Sequence, residues 1–266
     1  VNPLAFSELA LDREADPHGL PAWHVVVGPA GVAVDGERLA RRPGATPVLL
    51  GVQDGQALYG RWSAEPDLLE LREAGGALEA SESGLAAYAT SLLAWHETHS
   101  HCPACGAVTE IGSRGSSRRC PRCGRRHFPR TDPVVIMAVG DGERLLLGRR
   151  AGAPERRYSV LAGFVGPGET AEAAVIREVR EETGLRAVDV RYVTSQPWPF
   201  PASLMLGFFA QATGVPRASD GELADVRWFT RAEVAAAVAG TGSLELPGTV
   251  SVARRLIDLW LLRNAG

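Results

Sequence analysis

The 266-residue chain has no long apolar run. Its longest, at about 133–139, suits a buried strand and is far short of the roughly 20 residues a membrane-spanning helix needs. Charge excess is also missing. The net charge is −3, so no global field draws the chain to nucleic acid or to an anionic membrane. The opening VNPLAFSELALD carries no basic segment followed by an apolar core. No secretion leader is expected, and the expected compartment is the cytoplasm. Internal repeats, low-complexity tracts and long linkers are absent, which excludes a repeat array. Lysine is absent too, and all 28 basic residues are arginine. What remains is ordinary for a folded protein, with 45% hydrophobic and 22% charged residues. The length allows one large domain or two modest ones with real cores.

Cysteine is scarce, but the four are not scattered. They read CPACG at 102–106 and CPRCG at 120–124, with fourteen residues between the pairs. Two CxxC turns let the thiolates of Cys102, Cys105, Cys120 and Cys123 converge on one tetrahedral Zn²⁺. The Pro and Gly of each turn favour a tight hairpin that aims both sulfurs one way. Four protein ligands leave no open position, so such a metal holds the fold together and does not activate water. The competing reading is two disulfides, which a cytoplasmic chain disfavours. His96, His99 and His101 sit just upstream in HETHSHC, and one of them could replace a cysteine. The plainer reading is a wet helix end.

Three regions follow from the pattern. Residues 1–97 read as a small α+β domain. The apolar runs HVVVG, VAV, TPVLLGV and ALYGRW alternate with Gly, Pro and Asp turns, as strands do. A helix then spans SGLAAYATSLLAWHETH, with Ser83 as cap and Leu85, Tyr88, Leu92 and Trp95 at helical spacing. No chemistry-bearing constellation shows in this region. Residues 98–127 form the ribbon around the cysteines. Residues 128–266 open with the strands VVIMAVG and RLLLGRR around a DG turn. Further strands are expected at VRYV, LMLGFFAQA and VRWF, and a closing helix at SVARRLIDLWLLRN. That mixture predicts a layered α/β sandwich.

The densest chemistry lies in GFVGPGETAEAAVIREVREETGL, residues 163–185. Thr170 can cap a helix that stops at Gly184. Ala171, Ala174, Val175 and Val179 give it an apolar side. Glu178 and Glu182 are four apart and share a face, and Glu181 is three from Glu178. Like charges at this spacing repel by a few tenths of a kcal/mol each, about 0.2–0.5. They also crowd the C-terminal half, where the helix dipole disfavours anions. A solvated Glu/Arg face is the bland reading. A divalent cation would reverse the sign of these interactions, and hard oxygen donors suit Mg²⁺ or Mn²⁺.

The stretch resembles the signature of the Nudix hydrolases, with Gly163, Glu169, Arg177, Glu178, Val179, Glu181, Glu182, Gly184 and Leu185 at its fixed positions. An acid common within the family's loop is replaced by Gly166. The loop GFVGPGE is glycine-rich and lets backbone approach phosphate oxygens. SQPWPFPAS at 195–203 resembles the segment that marks the NADH pyrophosphatase branch of that superfamily. The preceding ribbon, FPRTDP at 128–133 and SVARRLI at 251–257 are similar to that branch as well.

The resemblance implies a C-terminal Nudix α/β/α sandwich and hydrolysis of the pyrophosphate of NADH or NAD⁺ to AMP and nicotinamide mononucleotide. It implies Glu178 and Glu182 as ligands of Mg²⁺ or Mn²⁺, joined by the carbonyl of Ala162 and by Glu222. Glu181 contributes to the cluster or to water activation, Arg177 orients the glutamates, and Glu169 supports the loop. Phe128, Phe164 and Trp198 supply stacking faces. Gln196, Pro197, Pro199, Phe200, Pro201, Ala202 and Ser203 line the dinucleotide site, and Ala253 touches it. A homodimer is expected, and NAD-capped RNA is a further substrate. Two alternatives stand beside this. One is a Nudix hydrolase of another diphosphate such as ADP-ribose. The other is a ribbon protein that binds RNA, since seven arginines fall between Arg114 and Arg130. The plain account of that density is that ribbon loops are exposed and this chain uses Arg in place of Lys.

Overall fold

The apolar run at 133–139 becomes the central strand of a mixed six-stranded sheet. The computed structural model describes residues 5–44, 48–65, 67–219 and 221–263. Strand Asp132–Gly140 pairs parallel with Ser203–Gln211 on one side. On the other side it pairs antiparallel with Leu161–Phe164 and, at its far end, with Arg144–Arg150. Strands Leu223–Thr230 and Val188–Trp198 form the two edges. Alternation along the central strand explains the layers. Val135, Met137 and Val139 face a core shared with Ala174, Val175 and Val179 of helix Ala171–Thr183. The intervening residues face the other way, and helix Val252–Leu262 contacts strands Asp132–Gly140 and Ser203–Gln211. The result is the expected α/β/α sandwich. The closing helix predicted to reach Asn264 runs Val252–Leu262, and Asn264 lies outside the described residues.

The chain divides into two units, Val1–Thr131 with Pro197–Ala202, and Asp132–Gln196 with Ser203–Gly266. The first contains a five-stranded sheet. Ala22–Gly28 lies between Gly31–Val32 and the parallel strand Gln56–Trp62, which also pairs with Leu49–Gln53. Thr46 and Pro47, which open the run predicted there, lie outside the described residues. Helix Ala80–Thr98 contacts the sheet and buries Leu85, Leu92 and Trp95. Ser83 is not its cap. The helix begins at Ala80, and the Ser83 hydroxyl is buried, donating to Ala80 O and accepting from Phe6 N. Three short antiparallel strands, Glu110–Ile111, Arg118–Arg119 and Arg126–His127, make the ribbon. No helix among the described residues is long and apolar enough to cross a membrane.

Candidate active site

Helix Ala171–Thr183 is set at both ends as its sequence predicts. The Thr170 hydroxyl accepts from Ala173 N at 3.2 Å, and Gly184 closes the helix at φ 73°. Burying Val175 and Val179 turns Glu178 and Glu182 inward beside them, so Glu182 is only 4% exposed while Glu181 stays in water. The helix contacts strand Leu161–Phe164. There Gly163 lies against the Glu178 carboxyl. A Cβ on Gly163 would stand 1.9 Å from Glu178 Cδ and 2.1 and 2.2 Å from its oxygens. The signature glycine is therefore the space that Glu178 occupies.

Arg177 ties this region together. Its Nε and Nη2 donate to the two Glu169 oxygens at 2.8 and 2.9 Å, a bidentate pair. Nη1 donates to Glu178 at 2.7 Å and to Glu181 at 2.9 Å, and Nη2 also donates to Phe164 O at 2.8 Å. Gly166 N donates to Glu169 at 2.9 Å. The glycine-rich loop is thus clamped onto the helix by one guanidinium and one carboxylate. Arg177, then the Gly166 N–H, hold the Glu169 carboxyl at about 2. Glu169, followed by Glu178 and Glu181, pushes Arg177 further above its ordinary range.

Glu178 behaves oppositely. Burial raises its carboxyl above the usual value, and the charges of Glu181 and Glu222 add to that, against the pull of Arg177. Glu222, distant in sequence and exposed, is therefore near enough to act on Glu178. Ala162 precedes Gly163 in its short strand, in register with Ile136. Among the described residues the carboxylate oxygens are not gathered within 4.8 Å as the thiols are, and Arg177 engages Glu178 and Glu181. The donor set nevertheless fits a hard divalent cation. It is all oxygen, partly buried and mutually repelling, which is the situation a cation relieves.

The ribbon brings its four thiols within 4.8 Å of one another. Cys102 and Cys123 sulfurs are 3.7 Å apart and those of Cys105 and Cys120 are 3.5 Å apart, with none of the four in a disulfide. Such spacings suit the edges of a tetrahedron with metal–sulfur distances of about 2.3 Å. The two turns are built alike. Gly106 N and Gly124 N donate to Cys102 O and Cys120 O, with both glycines at positive φ. The Ala107 N–H draws the Cys105 thiol down to about 6. The Arg125 N–H favours the thiolate of Cys123 too, but hydrogen bonds to Cys120 and the other thiols outweigh it and lift Cys123 to about 11. Crowded thiols divide their protons in this way, and a shared cation removes the competition. Among the described residues no histidine joins the group. His96 is not a wet helix end. It is buried, with Nε2 2.7 Å from Gly115 O and Nδ1 3.1 Å from Arg118, and burial lowers its pKa. His99 and His101 are exposed.

The aromatic segment is split between roles. Gln196 is fully buried. Its Nε2 donates to Val250 O and its Oε1 accepts from Val252 N, both at 2.7 Å, so its amide fastens the start of the last helix. Ala253 is buried in the first turn of that helix. Pro199 is buried, Pro197 and Pro201 are exposed, and Trp198, Phe200, Ala202 and Ser203 are half-buried. The Trp198 and Phe200 rings lie 4.9 Å apart at 60°. Phe128 and Phe164 are 57% and 62% exposed, open faces of the kind stacking needs, and Arg126 sits over Phe128. The Trp198–Phe200 pair leans on Phe6 and Arg72, to which the sequence reading gave no role. No local signal could have linked residues so far apart in the chain.

The model described as NUDIX domain matches residues 129–245, and that described as NADH pyrophosphatase zinc ribbon domain matches residues 97–128. The NAD-capped RNA hydrolase NudC of Mycobacterium bovis is 43% identical over 244 residues, covering 84% of this chain and 77% of that protein. The human NAD-capped RNA hydrolase NUDT12 is 41% identical over 213 residues, covering 75% of this chain and 44% of that protein. A crystal structure of a NUDIX hydrolase from Nitrosomonas europaea aligns with TM-score 0.44 and 21% identity, over 55% of this chain and 96% of that one. The chain therefore belongs to the Nudix hydrolases, in the group that carries an NADH pyrophosphatase zinc ribbon ahead of the Nudix domain.

Proposed function

We propose that the chain hydrolyses the pyrophosphate bond of NADH or NAD⁺, giving AMP and nicotinamide mononucleotide, and removes NAD caps from RNA by the same reaction. The observation that carries this is the 43% identity, over 84% of the chain, to a protein named for NAD-capped RNA hydrolysis. In this reading Glu178 and Glu182 hold Mg²⁺ or Mn²⁺ together with the Ala162 carbonyl and Glu222. A divalent cation, when bound, neutralises diphosphate charge and makes water nucleophilic. Arg177 orients Glu178 and Glu181 through its two bonds from Nη1. Glu169 keeps the loop shut against the helix. Exposed Glu181 completes the anionic cluster or takes the proton of the attacking water. Phe128, Phe164 and Trp198 stack on the bases. The exposed ribbon arginines Arg119, Arg122, Arg125 and Arg126 suit RNA phosphates. Zinc in the four-thiol site is structural. A homodimer in the cytoplasm is part of the same reading, by analogy with the NADH pyrophosphatase branch.

The test is incubation with NADH, NAD⁺, ADP-ribose and an NAD-capped RNA under Mg²⁺ and Mn²⁺, with products identified by mass. AMP with the nicotinamide mononucleotide, and 5′-monophosphate RNA, support the reading. Cleavage of ADP-ribose alone replaces it with another Nudix activity. Salt-dependent RNA affinity without hydrolysis replaces it with a binding protein.

A further inference from the structure

Glu222 is the one proposed metal ligand that neither the glutamate helix nor its neighbouring short strand supplies. It is exposed and stands just before Leu223–Thr230, an edge strand. That strand is irregular at its start. Arg149 lies opposite Asp225 but Arg150 lies opposite Leu223, so Ala224 is the extra residue of a bulge. The bulge shows in the packing. Leu223 and Val226, three apart, both belong to the core shared with helix Ala171–Thr183, which strict alternation would forbid. The segment between Arg150 and Ser159 fastens this stretch at two points. Ala151 N donates to Glu222 O at 2.8 Å. At its other end the hydroxyl of Tyr158, a residue only 3% exposed, donates to the Asp225 carboxylate. Arg227 closes the set, donating from Nη2 to the Tyr158 hydroxyl and pairing through Nε with Asp225 at 3.1 Å. The Tyr158 ring meets Phe229 edge-on, with centroids 5.0 Å apart.

We propose that Tyr158 is a positioning residue for Glu222, locking the bulge through Asp225 so that this carboxylate is held ready for the divalent cation. A bulge decides where the residues beyond it point. Were the strand to slip by one residue and become regular, Leu223 would leave the core, and Glu222, its neighbour, would turn with it. Burial resists that slip at Leu223. Asp225 lies on the opposite face from Val226 and is half-buried, so burial alone does not fix it. The Tyr158 hydroxyl does, because it sits between a carboxylate and a guanidinium and satisfies both. Groups behind a metal ligand set affinity by holding the ligand in place. This inference rests on the proposed function only in taking Glu222 as a ligand.

The experiment measures Mn²⁺ binding without substrate, by electron paramagnetic resonance of the free ion. It compares wild type, Tyr158→Phe, Asp225→Ala, Glu222→Gln and the double variant Tyr158→Phe with Glu222→Gln. Thermal unfolding and the KM for NADH at saturating Mn²⁺ are recorded alongside. Tyr158→Phe keeps the ring, removes the hydroxyl and should weaken Mn²⁺ binding about tenfold. Its KM for NADH should stay within about twofold of wild type, since no substrate contact is lost. Asp225→Ala breaks the same bond from its other end and should repeat the effect, so a Tyr158→Phe protein that does not fold leaves the test standing. With Glu222→Gln already in place, Tyr158→Phe should cost no further affinity, because its effect passes through Glu222. Wild-type Mn²⁺ affinity in folded Tyr158→Phe, with or without a lowered unfolding temperature, overturns the inference and leaves Tyr158 merely structural. A full further loss in the double variant overturns it too. Glu222→Gln with wild-type Mn²⁺ affinity removes the premise that Glu222 is a ligand. A wild type that binds Mn²⁺ yet leaves NADH intact refutes the proposed activity and not the positioning of Glu222.

Discussion

Gly163→Ala adds one methyl group at the point where strand and glutamate helix meet. That carbon would overlap the Glu178 carboxyl, 1.9 Å from its Cδ. To regain ordinary contact the carboxyl must retreat by about 1.5 Å. It cannot do so freely, because Arg177 holds it at 2.7 Å and is itself fixed by both oxygens of Glu169 and by Phe164 O. A misplacement near 1 Å of a positioning group costs about 100-fold in rate, equivalent to about 2.7 kcal/mol in the barrier. Gly163→Ala should therefore lower kcat/KM for NADH at least about 100-fold. Gly248→Ala is the control. Nothing lies within 4 Å of a Cβ there, so activity should stay near wild type. Initial rates with NADH, alongside circular dichroism melting of both variants, measure the two effects. A Gly163→Ala protein that folds and turns over NADH at the wild-type rate would refute the placement of Glu178 in the reaction.

Glu182→Gln keeps shape and removes a buried charge, so turnover should drop by orders of magnitude while the unfolding temperature without added divalent cation holds or rises. Normal NADH hydrolysis by that variant at ordinary Mg²⁺ would count against Glu182 as a ligand. Metal analysis should find one zinc per chain, and Cys120→Ser should lower the unfolding temperature while the folded fraction keeps its turnover. Freshly purified protein with two disulfides and no zinc would contradict that. The Glu169 carboxyl lies at about 2 in the fold against 4.5 when unconstrained, so the unfolded chain binds its proton first. The stability it gives is complete above pH 4.5 and is lost as pH falls toward 2. Glu169→Gln should flatten the acid limb of the melting-temperature profile in that window, and an unchanged limb would show the pairing with Arg177 to be unimportant.

The parts of the fold that announce themselves in sequence do so through local rules. Thr170 and Gly184 bracket the glutamate helix because capping is decided within four residues. The cysteine turns are similarly self-contained. Strands built on runs such as VVIMAVG are found because burial on both faces needs an unbroken apolar stretch. Strand Leu161–Phe164 escapes notice because it is four residues with a glycine, and only its partners at Val134–Met137 make it a strand. Helix Arg231–Val238 buries only Val234 and so shows no stripe. Ser83 resembles a cap until Phe6 supplies a tertiary donor for its hydroxyl. The bonds from the Gln196 amide to Val250 and Val252 could not be read from its segment. Side chains whose partners lie dozens of residues away carry no local signature.

The excursion of Pro197–Ala202 into the N-terminal unit bears on modularity. A cut after Thr131 would free the sandwich from everything before it, yet the fragment would keep six residues whose packing partners had gone. Trp198 and Phe200 would lose Arg72 and Phe6 and expose apolar ring surface where strand Val188–Trp198 ends and turns toward Ser203–Gln211. Recombination between relatives meets the same constraint. A new N-terminal unit grafted onto this sandwich must carry its own partners for that turn, or the turn must travel with it. The exchangeable unit of this protein is therefore a pair of segments separated in sequence, not a contiguous block.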